Sequence, residues 1–404
     1  MKLVFVNRYF HPDISATSQM LSDLAFYLAR NGRQVHVVTS RQRYGDAAAN
    51  LPANEVLEGL HIHRVWTSRF GRAWLPGRAL DYFSFYVFAA CRIARLARQG
   101  DLVVAMTDPP LLSFPAALAT GWRGARLVNW LQDIFPEVAQ RLGLGAVRGP
   151  AGALARWVRS YSLRVAALNV VLGDRMRETV MRLEPRCAER LAVIHNWADG
   201  EALRPLSGAS PLRAQWGLEG RFVVAYSGNM GRAHEFDTLL EACERLRGDS
   251  AIAFLFIGDG YQRPRLEREA RRRGLANISF HPYQSREQLG ASLGVADVHL
   301  VSLLPALEGL VVPSKFYGIL AAGRPAIVIG DPHGELARIA LEARCGLAVA
   351  AGDAAGLAGA IRVLRDDPAR CASLGTNARA AFEARYDQPH AMALWERALE
   401  RAAR

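Results

Sequence analysis

Residues 222–232 read FVVAYSGNMGR, an apolar run of strand length that leads directly into a turn with two glycines. A helical pattern follows at 237–247. Short runs of Val, Ile, Leu and Phe that alternate with amphipathic helical stretches are typical of βαβ units, in which helices cover both faces of a parallel sheet. This stretch therefore predicts an α/β fold, and the chain repeats its pattern in both directions.

The alternation of strand and helix patterns fills two halves of the chain. Candidate strands lie at 3–6, 34–38, 61–65, 102–105, 126–130, 168–171 and 192–194, and then at 222–226, 253–257, 278–280, 298–301, 326–329 and 347–349. The turn-rich stretch 195–220 separates the halves. The 404 residues exceed what one core usually holds, about 250–300 residues. We therefore expect two Rossmann-like domains, residues 1–200 and 201–385, followed by a helical segment at 386–404.

Composition excludes several classes of protein. Half of the residues are hydrophobic and 22% are charged, which excludes a disordered chain. No apolar run reaches the roughly 18 residues of a membrane-spanning helix, and the start MKLVFVNRYF is too polar for a signal peptide. The five cysteines are scattered and form no C-x-x-C pair. We therefore expect a cytoplasmic, reducing environment and no metal site.

Positive charge is concentrated in the first half of the chain. The formal net charge is +12 and the isoelectric point is near 9.9. Residues 1–200 hold 25 of the 50 basic and 15 of the 38 acidic residues, a net charge of +10. Such an excess suits nucleic acid, anionic lipid or a phosphorylated substrate. Only two of the basic residues are lysines, Lys2 and Lys315, which makes Lys315 conspicuous.

Candidate ligand-binding residues follow the strands of the second half. Ligands of open α/β sheets bind beyond the carboxyl ends of the strands, and the cleft between two such domains is the expected site. Gly228, Asn229 and Gly231 follow one candidate strand, where glycine lets the backbone approach a ligand, and Arg232 adds a cation. Gly258-Asp259-Gly260 follows another strand, although G-D-G is also a common turn.

The turn after the first candidate strand carries a second set of polar residues. His11 and Asp13 are candidate binding residues there. Thr17 and Ser18 open the next helix, where they either cap its N-terminus or contact an anion. No G-x-G-x-x-G follows this strand, which argues against a dinucleotide-dependent dehydrogenase.

The strongest motif is the segment 308–325, EGLVVPSKFYGILAAGRP. Pro313-Ser314 fits the start of a helix, with Ser314 as its N-cap or in its first turn. Lys315 would then lie at the helix N-terminus, where a cation opposes the helix dipole. A compact ammonium group at that position predicts an anionic ligand.

This segment resembles the nucleotide-sugar signature of GT-B glycosyltransferases of family 4, in a variant that contains P-S-K-x-Y. The same family is suggested by Phe10-His11-Pro12 with Ala16–Gln19, by Gln132–Glu137, by His195-Asn196-Trp197 and by Gly258-Asp259-Gly260. The likeness covers essentially the whole chain. It is greatest to the bacterial subgroup that builds surface polysaccharides and includes transferases assigned to N-acetylfucosamine.

The resemblance implies two Rossmann-like domains that face a central cleft, with the last helix crossing back to the first domain. It implies a retaining, metal-independent transfer from a nucleotide sugar, expected to be a UDP-sugar with an N-acetylated amino sugar, to a polyprenyl-diphosphate-linked saccharide. No cofactor is implied. Arg232 and Lys315 would hold the donor diphosphate, where charge-assisted contacts stabilise the leaving group. Residues assigned to the donor are Gly228, Asn229, Gly231, Gly258, Asp259, Gly260, Pro313, Ser314 and Tyr317, and those assigned to the acceptor are His11, Asp13, Thr17 and Ser18.

The chain departs from the family pattern at four positions. The lysine that relatives usually carry after the first loop of the second domain is not evident here, and Arg232 or His234 is expected to substitute for it. Many relatives carry a glutamate five residues before the glycine of the A-x-G-x-P turn, where this chain has Gly318. Glu308 lies two residues farther from that position than usual, so it either reaches the sugar or is a loop residue. Relatives often have histidine where this chain has Gln132, so Asp133 becomes the better catalytic candidate, near the anomeric centre or the acceptor hydroxyl.

One helix pattern raises the question of membrane binding. Residues 78–98 read RALDYFSFYVFAACRIARLAR, with five aromatic residues at 82–88 and arginines on both sides. The apolar part is too short to span a bilayer but suits a helix at the membrane interface. The alternative is an ordinary core helix. We expect peripheral docking on an anionic membrane, at the inner face of the cytoplasmic membrane.

Other functions compete with glycosyl transfer. A nucleotide-sugar 2-epimerase shares the architecture, although its carboxylate–histidine set is not evident. A non-catalytic sugar-binding protein is the alternative that the missing glutamate at Gly318 leaves open. The high isoelectric point suits nucleic acid, but no RRM, KH or helix-turn-helix signature is present, so we expect no nucleic-acid partner.

Overall fold

The computed structural model describes residues 1–46, 48–71, 75–144, 147 and 149–404. The chain divides into two compact units, Met1–His195 with Met392–Arg404, and Asn196–Ala391. The divisions therefore lie at 195 and 391, where the sequence pattern placed them at 200 and 385.

The first unit is built on an eight-stranded sheet. Its strands are β1 (Lys2–Val6), β2 (Gln34–Ser40), β3 (Asn54–Leu57), β4 (Leu60–Val65), β5 (Leu102–Ala105), β6 (Arg126–Trp130), β7 (Leu168–Val171) and β8 (Leu191–Val193). Their order is β3-β4-β2-β1-β5-β6-β7-β8. Its helices before the second unit are α1 (Ala16–Arg30), α2 (Leu75–Leu96), α3 (Ser113–Arg123), α4 (Glu137–Arg141), α5 (Gly149–Val165) and α6 (Asp174–Leu183). The sheet is parallel except for β3, which pairs antiparallel with β4.

Strand β3 is the element that the sequence pattern did not predict. Its residues, NEVL, are polar or only partly buried, as befits an edge strand. The connection to β4 is the pair Glu58 and Gly59, which have φ of 49° and 81°. Two successive residues with positive φ form the tight hairpin turn that matches the twist of antiparallel strands.

The second unit is built on a six-stranded parallel sheet. Its strands are β9 (Phe222–Ser227), β10 (Ile252–Ile257), β11 (Ile278–His281), β12 (Val298–Ser302), β13 (Ala326–Gly330) and β14 (Gly346–Ala350), in the order β11-β10-β9-β12-β13-β14. Its helices are α7 (Leu212–Gln215), α8 (Asp237–Arg245), α9 (Arg263–Arg272), α10 (Leu289–Gly294), α11 (Lys315–Ala321), α12 (Glu335–Glu342), α13 (Ala354–Asp366) and α14 (Pro368–Arg385). Two parallel α/β sheets confirm the predicted fold class.

The last helix, α15 (Gln388–Ala403), returns the chain to the first unit. It starts in the second unit, and from Met392 onward it belongs to the first. The Trp395 side chain is fully buried, with its ring centroid 4.5 Å from that of Trp130 at the end of β6. A helix that anchors a tryptophan in the first core matches the crossing that the resemblance implied.

In the part of the chain that the structure describes, no helix combines the length and the apolar character that crossing a bilayer requires.

Candidate functional site

Two glycine-containing loops meet at the carboxyl edge of the second sheet. The first glycine loop, Gly228–Gly231, follows β9, and the second glycine loop, Gly258–Gly260, follows the neighbouring strand β10. The Gly228 amide donates to the Ile257 carbonyl at 2.8 Å, and the Met230 amide donates to the Asp259 carbonyl at 2.8 Å. Backbone hydrogen bonds therefore hold the two loops side by side.

Glycine is required where the loops touch. Gly258 has φ of 131°, and a Cβ on it would lie 2.3 Å from the Gly228 carbonyl oxygen. Gly260 has φ of 146°, and a Cβ on it would lie 2.5 Å from Oδ1 of Asn229. Both the backbone angle and the available space exclude a side chain at these two positions. The G-D-G sequence is therefore a packing requirement of this site and not only a turn.

Lys315 begins α11 and reaches the first glycine loop. Its Nζ lies 3.6 Å from the ring centroid of Tyr226, donates to the Tyr226 hydroxyl and lies 3.5 Å from the Asn229 carbonyl oxygen. A Cβ on Gly228 would lie 3.2 Å from Cε of Lys315. Ser314 is the N-cap residue of α11, but its side chain makes no capping hydrogen bond. The predicted helix start is confirmed, while the hydroxyl of Ser314 is left to other partners.

The ammonium group of Lys315 has no counter-ion in the described part of the chain. No described carboxylate lies within 4.0 Å of its Nζ, which contacts only a hydroxyl and a carbonyl oxygen. Burial lowers the pKa of Lys315 well below its usual value. A partly buried ammonium without a carboxylate partner is unfavourable until an anion binds beside it. This electrostatic deficit makes the loops a candidate anion site.

His234 lies beside Lys315 as a neutral imidazole. Its Nδ1 is 2.6 Å from the Ser302 carbonyl oxygen at the end of β12. Burial, followed by the positive charge of Lys315, lowers the pKa of His234 to about 3. The ring therefore donates from Nδ1 and keeps Nε2 as an acceptor.

Arg232 extends the positive charge to the rim of the loops. Its guanidinium carbon lies 3.6 Å from the ring centroid of Tyr261, and the side chain is exposed. Among the described residues no carboxylate forms an ion pair with it. Tyr283, half exposed, lies over the second glycine loop, since its Cε1 would be 3.3 Å from a Cβ on Gly258. Sequence reasoning missed the three tyrosines, Tyr226, Tyr261 and Tyr283, although each directly adjoins a motif or a strand end.

Glu308 caps a helix of the second unit. Its Oε1 accepts a hydrogen bond from the Glu335 amide at the start of α12 at 2.9 Å, and its Oε2 would be 2.4 Å from a Cβ on Gly334. Burial raises the pKa of Glu308, and nearby Glu335 and Asp331 add to the effect. A cavity at the carboxyl ends of β12 and β13 is lined by Glu308 together with Ser302, Pro313 and Asp331. Glu308 is thus held by the fold and also borders a cavity.

Tyr317, the last residue of the P-S-K-x-Y segment, and Gly318 directly after it lie against the core of the second unit. The Tyr317 side chain is fully buried, with its ring centroid 5.2 Å from that of Tyr386. This burial corrects the assignment of Tyr317 to the donor and makes it a core residue. A Cβ on Gly318 would lie 3.6 Å from Leu293 and 3.9 Å from Leu203. The position that holds a glutamate in many relatives therefore faces apolar side chains here.

Asp133 follows β6 in the first unit and is a poorly solvated carboxyl. Burial raises its pKa to about 6, a hydrogen bond from Thr107 opposes the shift, and the charge of Asp108 adds to it. Its Oδ1 is buried and finds no hydrogen-bond partner in the described residues. A carboxyl that titrates near neutral pH is suited to exchange protons or to respond to a nearby positive charge.

The predicted acceptor residues separate into two groups. Asp13 is buried, and its carboxylate accepts the backbone amides of Ser15 and Tyr44. Ser18 is fully buried and its hydroxyl donates to the Asp13 carbonyl at 3.2 Å. The buried Asp13 and Ser18 are therefore structural residues of the strand-to-helix turn, which corrects their assignment to the acceptor. His11 is exposed and Thr17 partly exposed, so both remain accessible.

Comparison with known families identifies both units. The description "Glycosyl transferase 4-like domain" matches residues 16–197, and "Glycosyl transferases group 1" matches residues 210–381. The chain belongs to the GT-B glycosyltransferases of family 4. Each of the two units of this enzyme matches one of these two glycosyltransferase descriptions.

Individual relatives of this glycosyltransferase agree with the assignment. WcaI of Escherichia coli (strain K12), named as a colanic acid biosynthesis glycosyl transferase, is 28% identical over 84% of this chain and 86% of its own. The sucrose-phosphate synthase of Thermosynechococcus elongatus has a TM-score of 0.78 and 18% identity over 99% of this chain and 98% of its own. Anabaena HepE in complex with UDP has a TM-score of 0.74 and 16% identity over 99% and 100%. At these identities the solved structures show the shared fold.

Among the described residues of the glycosyltransferase, no group of three or more His, Cys, Asp or Glu side chains is arranged to hold a metal ion.

Proposed function

We propose that this glycosyltransferase moves a sugar from a UDP-sugar to a lipid-linked saccharide in the synthesis of a surface polysaccharide. The observation that carries the proposal is the ammonium of Lys315, which lies at the two glycine loops without a carboxylate partner. A nucleoside diphosphate supplies the missing negative charge. HepE, which shares the fold, is known in complex with UDP, and WcaI is named for colanic acid biosynthesis.

The donor diphosphate is placed against the first glycine loop. Lys315 contacts it from the start of α11, and Arg232 contacts it from the rim. Gly228 has no side chain, which leaves room for the Lys315 stem to lie against this loop. The nucleobase lies toward the second glycine loop, where Tyr283 presents an exposed ring. Gly318 faces leucines, so the ribose is held without a carboxylate from that position.

The proposed reaction proceeds with retention and without a metal. The bond between the anomeric carbon and the diphosphate oxygen breaks, and the acceptor oxygen forms a bond to the same face of that carbon. The electron pair of the broken bond leaves with the diphosphate oxygen and adds negative charge there, and the acceptor hydroxyl passes its proton to that departing diphosphate. Lys315 and Arg232 stabilise this charge, the task that a metal ion performs in other transferases. Asp133, as a carboxylate, supports the positive charge that develops at the sugar.

The proposed identities of the transferred sugar and of the acceptor rest on the family likeness. The transferred sugar is an N-acetylated amino sugar, and the acceptor is a saccharide on a polyprenyl diphosphate. Because such a lipid keeps its diphosphate in the headgroup layer, the enzyme acts at the inner face of the cytoplasmic membrane. The basic excess of the first half of the chain suits this location.

Calorimetric titration of the full chain with UDP, UMP, CDP and GDP tests the proposal. We expect UDP to bind at least tenfold more tightly than UMP, because the second phosphate meets Lys315. Equal affinities for UMP and UDP would contradict the proposed contact between the diphosphate and Lys315. Transfer to a polyprenyl-diphosphate saccharide is then measured with EDTA present. Activity that EDTA abolishes and manganese restores would contradict the metal-independent step, while nucleotide binding without any turnover would favour the non-catalytic alternative.

A further inference from the structure

Helices α2, α3 and α5 lie next to one another on one face of the first sheet. Phe85 and Ala89 of α2 share a buried cluster with Ala116 of α3 and with Val4 and Val103 of the sheet. Helix α5 continues the layer. The ring of Phe114 in α3 lies 6.1 Å from that of Trp157 and 5.7 Å from that of Tyr161 in α5. The outward sides of the three helices therefore form one continuous surface, named here the three-helix surface.

Large apolar side chains project outward from each helix of the three-helix surface. The exposed residues are Leu80, Phe83, Val87 and Phe88 in α2, Leu118 and Trp122 in α3, and Leu154, Trp157 and Val165 in α5, with 42% to 77% of each side chain accessible. In α2 and α5 they recur at helical spacing, so each helix is apolar on its outer side as well as its inner side. Exposed apolar groups in such number mark an interaction surface.

The charges of the three-helix surface are almost all positive. The helices contain seven arginines, of which Arg159 is buried and paired with Glu137. The six that contribute to the surface are Arg78, Arg92, Arg95, Arg123, Arg156 and Arg164. The only acidic residue of the three helices is Asp81. Asp81 is 1% exposed and lies 3.6 Å from the buried guanidinium of Arg8, so it contributes no negative charge to the surface.

We propose that the three-helix surface docks on an anionic lipid bilayer, with all three helices in the interface. Aromatic and aliphatic side chains enter the boundary between headgroups and acyl chains, while arginines meet lipid phosphates. Phe85, which the sequence pattern grouped with the exposed aromatics of 78–98, is fully buried, and α3 and α5 supply the rest of the contact. The inference rests on the proposed lipid-linked acceptor for its purpose, but its test uses neither donor nor acceptor.

Charge complementarity favours a bilayer over a second copy of the chain. A twofold dimer through this surface would place the same arginines opposite each other with no exposed carboxylate from these helices to pair with them. An anionic headgroup layer offers negative charge across the whole width of the surface. It also accepts side chains of different lengths, because lipids adapt to the shape that they cover.

Vesicle co-sedimentation of the purified full chain tests the proposal at about 0.1 M salt. We expect binding to vesicles of phosphatidylcholine with 30% phosphatidylglycerol and weak binding to phosphatidylcholine alone. The triple variant Arg95→Glu, Arg123→Glu, Arg156→Glu takes one arginine from each helix. It should lower the partition coefficient at least a hundredfold, because each arginine near such a surface contributes roughly fivefold. The matched control Arg247→Glu, Arg268→Glu, Arg271→Glu changes the net charge equally in the second unit and should retain most binding.

Single variants separate the contributions of the helices. Phe83→Ser, Leu118→Ser and Trp157→Ser should each weaken binding at least fivefold, whereas Leu341→Ser, exposed in the second unit, should not. Brominated lipids should quench tryptophan fluorescence, and Trp122→Phe with Trp157→Phe should remove most of that quenching. The thermal unfolding midpoint, measured without nucleotide, checks that each variant is folded.

Three outcomes would overturn the proposal. In the first, the wild-type chain does not bind anionic vesicles. In the second, Phe83→Ser is the only single variant that weakens binding, which would limit the docking surface to α2. The third is a concentration-dependent dimer that the arginine variants abolish while vesicle binding is absent. None of these outcomes depends on UDP binding, so a failed docking surface leaves the proposed transferase intact, and the reverse also holds.

Discussion

Replacing Lys315 with methionine removes the ammonium and keeps a side chain of similar length beside Gly228. Two unit charges about 4 Å apart attract by about 4 kcal/mol at an effective dielectric constant near 20. Without nucleotide, the fold carries the cost of holding an ammonium near Tyr226 with no described carboxylate beside it, and this cost disappears in the variant. The expected effects are a loss of about 3 kcal/mol in UDP binding, roughly a hundredfold, and unchanged or higher stability of the unliganded protein.

Two measurements on the same protein separate these effects. Calorimetry gives the dissociation constant of UDP for the wild type and for Lys315→Met. Urea unfolding gives the stability of both without nucleotide. Lys2→Met is the control, because Lys2 is the other lysine and pairs with Asp101 at 3.4 Å in the first unit. A folded Lys315→Met protein that binds UDP within threefold of the wild type would refute the assignment, and so would a large loss of stability with unchanged binding.

The remaining predictions concern packing and pH. Gly258→Ala should cost about 2–4 kcal/mol of stability in urea unfolding, because φ is 131° and the new Cβ meets a carbonyl, whereas Gly248→Ala, with open space, should cost less than about 1 kcal/mol. The pKa of Asp133 is about 6 in the fold and about 3.9 in the unfolded chain. The contribution of Asp133 to folding stability is therefore full below pH 4 and is lost as the pH rises through 6. Asp133→Asn should therefore raise stability at pH 7.5 by about 1–3 kcal/mol, and an unchanged urea midpoint would contradict it. His234 and His299, with pKa values lowered to about 3 and about 4, bind protons less readily in the fold, so stability should fall as pH drops from 6.5 toward 4. Urea midpoints at pH 7, 6 and 5 that show no decline would disagree.

Sequence patterns predicted the parts of the fold that local chemistry specifies. The apolar runs gave the strands of both sheets because a parallel strand is buried on both faces and leaves a continuous hydrophobic signal. Strand β3 was missed because its one exposed side and its edge position remove that signal. The loops Gly228–Gly231 and Gly258–Gly260 were found because glycine after a strand marks close backbone contact.

The sequence could not predict which side chains point into the candidate site and which point into the core. A tyrosine near the end of a strand is as typical of a core as of a site, so Tyr226 was not distinguished, and only the fold brings its hydroxyl to Lys315. Tyr317 was assigned to the donor from its place in a motif, yet the turn of α11 directs it into the core. The outward stripes of α3 and α5 were likewise missed, because an apolar helical residue gives the same pattern whether it faces the sheet or the surroundings.

The presence of lysine at 315, in a chain with one other lysine and 48 arginines, follows from the space beside the first glycine loop. Cε of Lys315 already lies within 3.2 Å of where a Cβ on Gly228 would be, so the stem fills the gap that the glycine leaves. A guanidinium is wider and planar, and its five donors need partners in a fixed plane, whereas an ammonium satisfies itself with the Tyr226 hydroxyl, the Asn229 carbonyl and one anion. Gly228 and Lys315 are therefore coupled: the missing side chain at one position admits the cation at the other. Neither residue is explained without the other. A double variant at Gly228 and Lys315 should lose less UDP affinity than the losses of the two single variants added together, because either change alone already disrupts the same contact.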